Sequence, residues 1–464
     1  MKPLAILGTS SDAGKTTLVM ALCRIFVDLG IKTAPFKAQN VSNNSGVTIE
    51  GREISRAQYL QAQAARIEPS YLFNPVLLKS HASAGVQVIV NGLVYKNQSV
   101  FNYYEEIGQL EQAVADNFKQ LQQNYELVIA EGAGSPVELN LLTKDLSNTF
   151  VAKTFNTKNI LIADIERGGV FASIYGTMAL MDEQMRHNLI GVIINKFRGD
   201  RRFFIEGEKI IAERFGLPVL GVLPFQPLNI DMEDSQSLQN YQQRLGDIKI
   251  RIAVIAYQGL SNYNDLDVFM ADSEVYVELI SSYRCLDSFD LVLLIGSKTV
   301  IKDLHWLKQQ GLFEQIQQFK GFIFGICGGY QMLCQKLYDP NALEYDNACT
   351  EIALGFIDDT VSYQQPKILH KAYYSLFGYD KLEGYEIHCG RMNKYPLYYQ
   401  KGRIAGTHVH GIFDNNVFRS DYLKTINANY QGYDYRLYRE EQIQGFSNMV
   451  ADNVDISAIL KALQ

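Results

Sequence analysis

Short apolar runs alternate with helical periodicity through the first half of the chain. Leu4-Ala5-Ile6-Leu7 has the length and content of a buried strand, and residues 18–29 carry the spacing of an amphipathic helix. Residues 32–40 predict a second strand lying beside the first in a parallel sheet, and the alanine-rich residues 54–66 predict a helix. Further buried strands are expected at residues 125–131, 159–164, 189–195 and 217–224, most trailed by glycine and a helix-compatible stretch. That rhythm predicts an α/β fold, a doubly wound and mostly parallel sheet. Residues 231–247 are polar and rich in Gln, Ser and Asn, after which buried strands begin again at residues 250–255, 290–295 and 322–324. The expected organisation is a first α/β domain over 1–230, a linker over 231–248 and a second α/β domain over 249–464.

Length supports this division, since 464 residues exceed what one hydrophobic core usually serves. With 47% hydrophobic and 20% charged residues, the chain can bury large cores. A net charge of −7 offers no global attraction for nucleic acid or an anionic membrane. Six cysteines without a paired C-x-x-C spacing describe neither a disulfide framework nor a zinc site, and suit a reducing compartment. The N-terminus lacks a signal-peptide core and no apolar run approaches membrane-spanning length, so a cytoplasmic protein is expected.

Between the first strand and the first helix lies Gly8-Thr9-Ser10-Ser11-Asp12-Ala13-Gly14-Lys15-Thr16-Thr17. Strand, glycine-rich loop and helix stand in the order that lets backbone N–H groups cradle phosphates. Gly8, Thr9, Asp12, Ala13, Gly14, Lys15, Thr16 and Thr17 are the expected ATP contacts, with Lys15 reaching the outer phosphates and the Thr16 hydroxyl ligating Mg²⁺. Five residues separate the two glycines instead of the usual four, so the loop resembles that of the dethiobiotin synthetase-like ATPases. Lys37 and Asn195, at later strand ends, are further nucleotide candidates, because ligands of parallel sheets bind at the carboxyl edge. Glu131 is expected to hold Mg²⁺ directly or through water, and Asp164 to complete the metal site. Arg198 and Arg201, in the one basic cluster, would suit an anionic substrate. Lys79, closing Asn74-Pro75-Val76-Leu77-Leu78-Lys79, stays open between a functional and a structural role.

In the second half, Phe322-Ile323-Phe324 runs into Gly325-Ile326-Cys327-Gly328-Gly329-Tyr330. A strand turning sharply into a helix presents the middle side chain as a nucleophile, with the glycines expected to permit the bend. Cys327 at a helix N-terminus would be favoured as thiolate, whereas a buried structural cysteine is the plainer alternative. The oxyanion donors are expected at Gly328 and in the Gly296-Ser297 turn, at Gly296. Of seven histidines, His410 is the expected base; His408, on the same predicted strand face, and His388 read as orienting or core residues.

Taken in order, GTSSDAGKT, PFKAQN, NPVLLK, EGAGSP, ADIERGGVFA, NKFRGD, GSK, GICGGYQML, GYEIH and HGIF make the chain similar, over nearly its whole length, to the cobyric acid synthase family. The resemblance implies an ATPase domain that phosphorylates peripheral carboxylates of a corrinoid, adenosylcobyrinic acid a,c-diamide, joined to a class I glutaminase that supplies ammonia. The attacking cysteine and its histidine map onto Cys327 and His410. Class I glutaminases often carry a glutamate two residues after the histidine; here that position is Ile412, and the resembling family also lacks the third member. Cobyrinic acid a,c-diamide synthase, a plain ATP-dependent ligase and a non-enzymatic P-loop regulatory protein are the competing readings. The oligomeric state stays open.

Overall fold

The computed structural model describes residues 1–81, 85–231 and 243–464. Six parallel strands form the first sheet, in the order Val219–Pro224, Leu189–Phe197, Lys158–Asp164, Leu4–Gly8, Leu127–Glu131, Thr33–Phe36. The second predicted strand therefore lies at the edge and not beside the first. Leu127–Glu131 comes between them, pairing in parallel with Leu4–Gly8 on one side and Thr33–Phe36 on the other. The predicted segment 32–40 also divides: after Phe36 the chain leaves this sheet, and Gln39–Val41 joins Val76–His81, Gly85–Val90 and Leu93–Ser99 in a separate one. Helices Lys15–Asp28 and Arg56–Ala64 start close to where periodicity placed them.

The second sheet runs Val275–Ile280, Ile250–Ile255, Leu291–Leu294, Phe322–Ile326, Ile404–Thr407, with Tyr398–Lys401 antiparallel at its edge. A third, four-stranded sheet carries the long pair Ile357–Leu376 and Tyr379–Met392. Of the linker expected over 231–248, residues 232–242 lie outside the described residues. Gln243 already pairs with the second sheet, donating to the Val277 carbonyl at 2.5 Å.

The last two helices, Tyr435–Asn453 and Ile456–Leu463, return to the first sheet instead of staying with the second. Ile443, Phe446, Val450, Ile459 and Leu463 share one apolar cluster with Leu4, Ile6, Leu22 and Phe26. Backbone bonds fix the return: Lys2 donates to Leu463 at 2.9 Å and Asp455 to Leu220 at 2.8 Å. Buried Arg24 joins the two parts through Glu440, Gln444 at 3.0 Å and the Ala64 carbonyl at 2.8 Å. Apolar area decides this packing, since the first helix buries residues around nearly its whole circumference and needs cover on its outer side. Among the described residues no helix is long and apolar enough to cross a membrane.

Candidate active site

Cys327 stands between Phe322–Ile326 and the short helix Gly328–Met332, with φ 51° and ψ −108°. A non-glycine residue pays conformational energy for that backbone, and it persists because surrounding bonds hold it. The Cys327 N–H donates to Thr407 at 2.8 Å, and its carbonyl accepts from Gln331 at 3.0 Å. The neighbouring glycines have a different part from the one expected. None of Gly325, Gly328 and Gly329 has positive φ; each is needed for close approach. A Cβ on Gly329 would lie 2.0 Å from the Leu294 carbonyl oxygen, one on Gly325 2.6 Å from the Tyr330 Cα, and one on Gly328 2.7 Å from the Ser297 nitrogen.

That last approach puts the amide nitrogen of Ser297 against the elbow. Gly296 itself packs on Ser261, and a Cβ there would meet the His410 ring at 3.1 Å. The turn is held from below by Asp303, whose carboxylate accepts the Ser297 hydroxyl at 2.5 Å and the Gly259 N–H at 2.9 Å.

His410 is fully buried, with Nδ1 2.7 Å from Asp265 Oδ2, and lines the same cavity as Cys327, whose Sγ lies 3.9 Å from the Ile387 carbonyl. Burial alone would lower its pKa; the charges of Asp265 and Cys327 outweigh burial and raise it to about 10. Asp265 also accepts the Gly411 N–H at 2.8 Å, so one carboxylate orients both the ring and the backbone beside it. Tyr385 covers the ring's face, stacked at 5.2 Å.

Sequence reasoning missed Asp265. It belongs to the turn Tyr263–Leu266, far from His410 in the chain, whereas Ile412, where a third member was sought, is buried in the core. A legible signal existed: the polar run Asn262-Tyr263-Asn264-Asp265 follows the carboxyl end of a buried parallel strand, where ligands gather.

His408 does not share a strand face with His410, because the strand ends at Thr407. The Thr407 hydroxyl accepts the Val409 N–H at 3.1 Å and turns the chain out of the sheet. His408 Nδ1 lies 2.8 Å from the Pro396 carbonyl, and its Nε2 lies 3.3 Å from the Gln331 amide nitrogen. Donating at one nitrogen and accepting at the other describes a neutral ring; burial, with nearby His388, puts its pKa well below the usual value. His388 stacks on it at 4.0 Å and pairs with Glu386 at 3.0 Å.

At the other site, Gly14 carries φ 99° and precedes the helix Lys15–Asp28, which starts from the loop as expected. Lys15 Nζ folds over that loop, donating to the Ser10 carbonyl at 2.8 Å and the Gly134 carbonyl at 2.9 Å. Thr16 Oγ1 donates to Glu131 Oε1 at 2.7 Å, so the two expected metal residues meet. Lys37 joins them, 2.7 Å from the same Glu131 oxygen, while Gln61 donates to the other at 2.6 Å. Asn195 holds the loop from the side, donating to the Ala13 carbonyl at 2.9 Å, and the Thr9 N–H donates to Ile162 at 3.0 Å. The Thr17 hydroxyl turns back to the Gly14 carbonyl at 3.2 Å, Asp12 adopts φ 57°, and a Cβ on Gly8 would meet Lys15 Nζ at 2.7 Å.

Asp164 is placed apart from Thr16 and Glu131. Its strand flanks the first strand on the opposite side from that of Glu131, and its carboxylate takes Lys196 at 3.0 Å and the Glu166 N–H at 2.7 Å. Arg198 pairs with Glu166 at 2.7 Å and lies over the Phe225 ring, and Arg201 contacts Glu208 at 3.4 Å. Both arginines are therefore occupied by neighbouring carboxylates at the surface.

A P-loop sheet and a second sheet bearing an elbow cysteine, a histidine and an aspartate define a fused nucleotide-binding and glutamine amidotransferase protein. Family models match both parts: a CobQ/CobB/MinD/ParA nucleotide binding domain over residues 4–238 and a CobB/CobQ-like glutamine amidotransferase domain over residues 251–418. The second match ends before the helices that return to the first sheet. Curated relatives match end to end. A cobyric acid synthase of Acinetobacter baylyi is 51% identical over 464 residues, covering 100% of both chains. Those of Anoxybacillus flavithermus and Chlorobium chlorochromatii are 38% and 37% identical, covering 98% and 100% of this chain and 96% and 97% of theirs. The chain belongs to the cobyric acid synthase family.

Proposed function

We propose that the protein amidates the b, d, e and g carboxylates of adenosylcobyrinic acid a,c-diamide, with ATP as activator and glutamine as nitrogen source. The observation that carries this is the pairing, on one chain, of the Cys327–His410–Asp265 arrangement with the Lys15, Thr16 and Glu131 arrangement. The first arrangement fits amide hydrolysis and the second phosphoryl transfer.

In the glutaminase half, the Cys327 sulfur attacks the side-chain amide carbon of glutamine. The Gly328 amide at the elbow and the Ser297 amide, in the turn begun by Gly296, would receive the developing oxyanion; the close approach of Gly328 to the Ser297 nitrogen supports this. His410 protonates the departing nitrogen, ammonia leaves, and His410 then draws a proton from water that hydrolyses the glutamyl thioester. Asp265 holds Nδ1, which leaves Nε2 as the nitrogen that would exchange the proton.

In the other half, a carboxylate is a poor electrophile until a phosphoryl group converts it to an acyl phosphate, whose phosphate ammonia can displace. Lys15 and the loop amides hold the transferred group. A hydroxyl beside a carboxylate is a hard oxygen donor set that fits Mg²⁺, so Thr16 and Glu131 are the residues that would hold it. When bound, that ion neutralises phosphate charge. Only unprotonated ammonia attacks, which is the reason for generating it inside the same chain. The six free cysteines agree with work in a reducing cytoplasm.

Mass spectrometry tests the reading. Purified protein with ATP, Mg²⁺, glutamine and the a,c-diamide should yield products lighter by about one mass unit per carboxylate converted, as OH gives way to NH₂. Conversion of cobyrinic acid but not of its a,c-diamide would transfer the assignment to a cobyrinic acid a,c-diamide synthase.

A further inference from the structure

The cavity in front of Cys327 is also lined by charged side chains that the steps above do not use: Lys79, Lys298, Lys367 and Glu344. Lys79 comes from Val76–His81, which belongs to the nucleotide-binding half. It is 3% exposed, and its Nζ donates to Glu53 Oε1 at 2.7 Å and to Ser45 Oγ at 2.8 Å. Lys367, from the other half, reaches the second oxygen of the same carboxylate at 2.9 Å. Lys298 follows the Gly296-Ser297 turn and donates to Gln87 at 3.0 Å, again across the boundary between the halves.

Three ammonium groups thus converge on two carboxylates, Glu53 and Glu344, in a buried place. Excess positive charge away from water is costly unless an anion arrives to match it. The individual groups show the mismatch. Burial brings Lys79 down to about 7, only partly opposed by Glu53. Burial lifts Glu344 to about 7, only partly opposed by Lys298. A ligand bearing one carboxylate and one ammonium group would relieve both.

We propose that this charged lining is the head-group subsite of the glutaminase: the lysines, Lys79 among them, receive the α-carboxylate of glutamine, and Glu344 receives its α-ammonium. The proposal deepens the glutaminase reading and depends on it. Its new element is that the nucleotide-binding half builds part of the glutamine pocket, so the pocket is complete only with the two halves docked. The docking is specific at that point. The Ser45 carbonyl accepts from Asn262 at 2.8 Å and from the Tyr385 hydroxyl at 3.3 Å, and Tyr385 is the ring that covers His410.

The test uses the full-length enzyme and three amides. 4-Aminobutanamide is glutamine without its α-carboxylate, and 4-carbamoylbutanoate is glutamine without its α-ammonium; ammonia release is followed for all three. Lys79→Met should raise the KM for glutamine about tenfold or more and lower the preference for glutamine over 4-aminobutanamide by a similar factor, with Lys79→Arg restoring most of both. Glu344→Gln should instead erode the preference over 4-carbamoylbutanoate, and it provides the decision if Lys79→Met fails to fold. Equal losses toward all amides, or an unchanged KM for glutamine, would overturn the subsite. A parent enzyme that releases no ammonia from glutamine would overturn the glutaminase reading and the subsite with it.

Discussion

Replacing Asp265 with Asn probes the catalytic pair through a residue that touches neither glutamine nor the sulfur. The side chain keeps its size and loses its charge. Raising His410 from 6.5 to about 10 corresponds to about 5 kcal/mol in favour of the imidazolium, achieved against burial by Asp265 and Cys327 together. If Asp265 supplies half, its loss costs roughly 2–3 kcal/mol, the range of a hydrogen bond to a charged group, or about 10²-fold in rate. Glutamate release from glutamine should fall by about that factor. Its pH dependence should change too, because without the carboxylate the burial of His410 is opposed only by Cys327 and its pKa drops toward neutrality or below. The sign for stability follows from the raised pKa. The His410–Asp265 pair contributes fully below pH 6.5 and loses its contribution as pH rises through about 10, so parent and variant should differ more in thermal midpoint at pH 6 than near pH 10. An Asp265→Asn enzyme that releases glutamate within threefold of the parent, with the same pH profile, would refute the role given to this carboxylate.

Cys327→Ala should abolish glutamine-supported amidation while ammonia salts still support it, because only the nitrogen source is removed; loss of both activities in a folded variant would contradict the division of labour. Lys15→Ala should remove ATP-dependent amidation from either nitrogen source and leave some glutaminase, checked by product mass and glutamate release. Phe446→Ala, in the helix that returns to the first sheet, should destabilise the protein by about 3 kcal/mol, read from chemical denaturation, although it lies far along the chain from the sheet it covers.

Much of the candidate site was legible because it is carried by contiguous residues. Strand, loop, Lys15 and Thr16 follow one another within a few positions, as do the apolar strand and Cys327, and a local sequence of that kind has few ways to fold. Glu131 was found by the same logic, as an acid closing a buried strand, and it does meet Thr16. Asp164 obeys the same pattern two strands away, across Leu4–Gly8, but pairs with Lys196. Which strand ends adjoin depends on sheet order, and no short stretch encodes that.

What the chain alone determined was each half's α/β character, the phosphate-loop motif and the strand-to-helix elbow that carries Cys327, since periodicity and motif spacing are properties of neighbours in sequence. Tertiary structure decided the rest. Asp265 reaches His410 across 145 positions, the closing helices cross back to cover the first, and Lys79 leaves its own half to line the cavity of Cys327. Each of these contacts depends on burial of apolar surface, or on pairing of charge, between segments that only folding brings together.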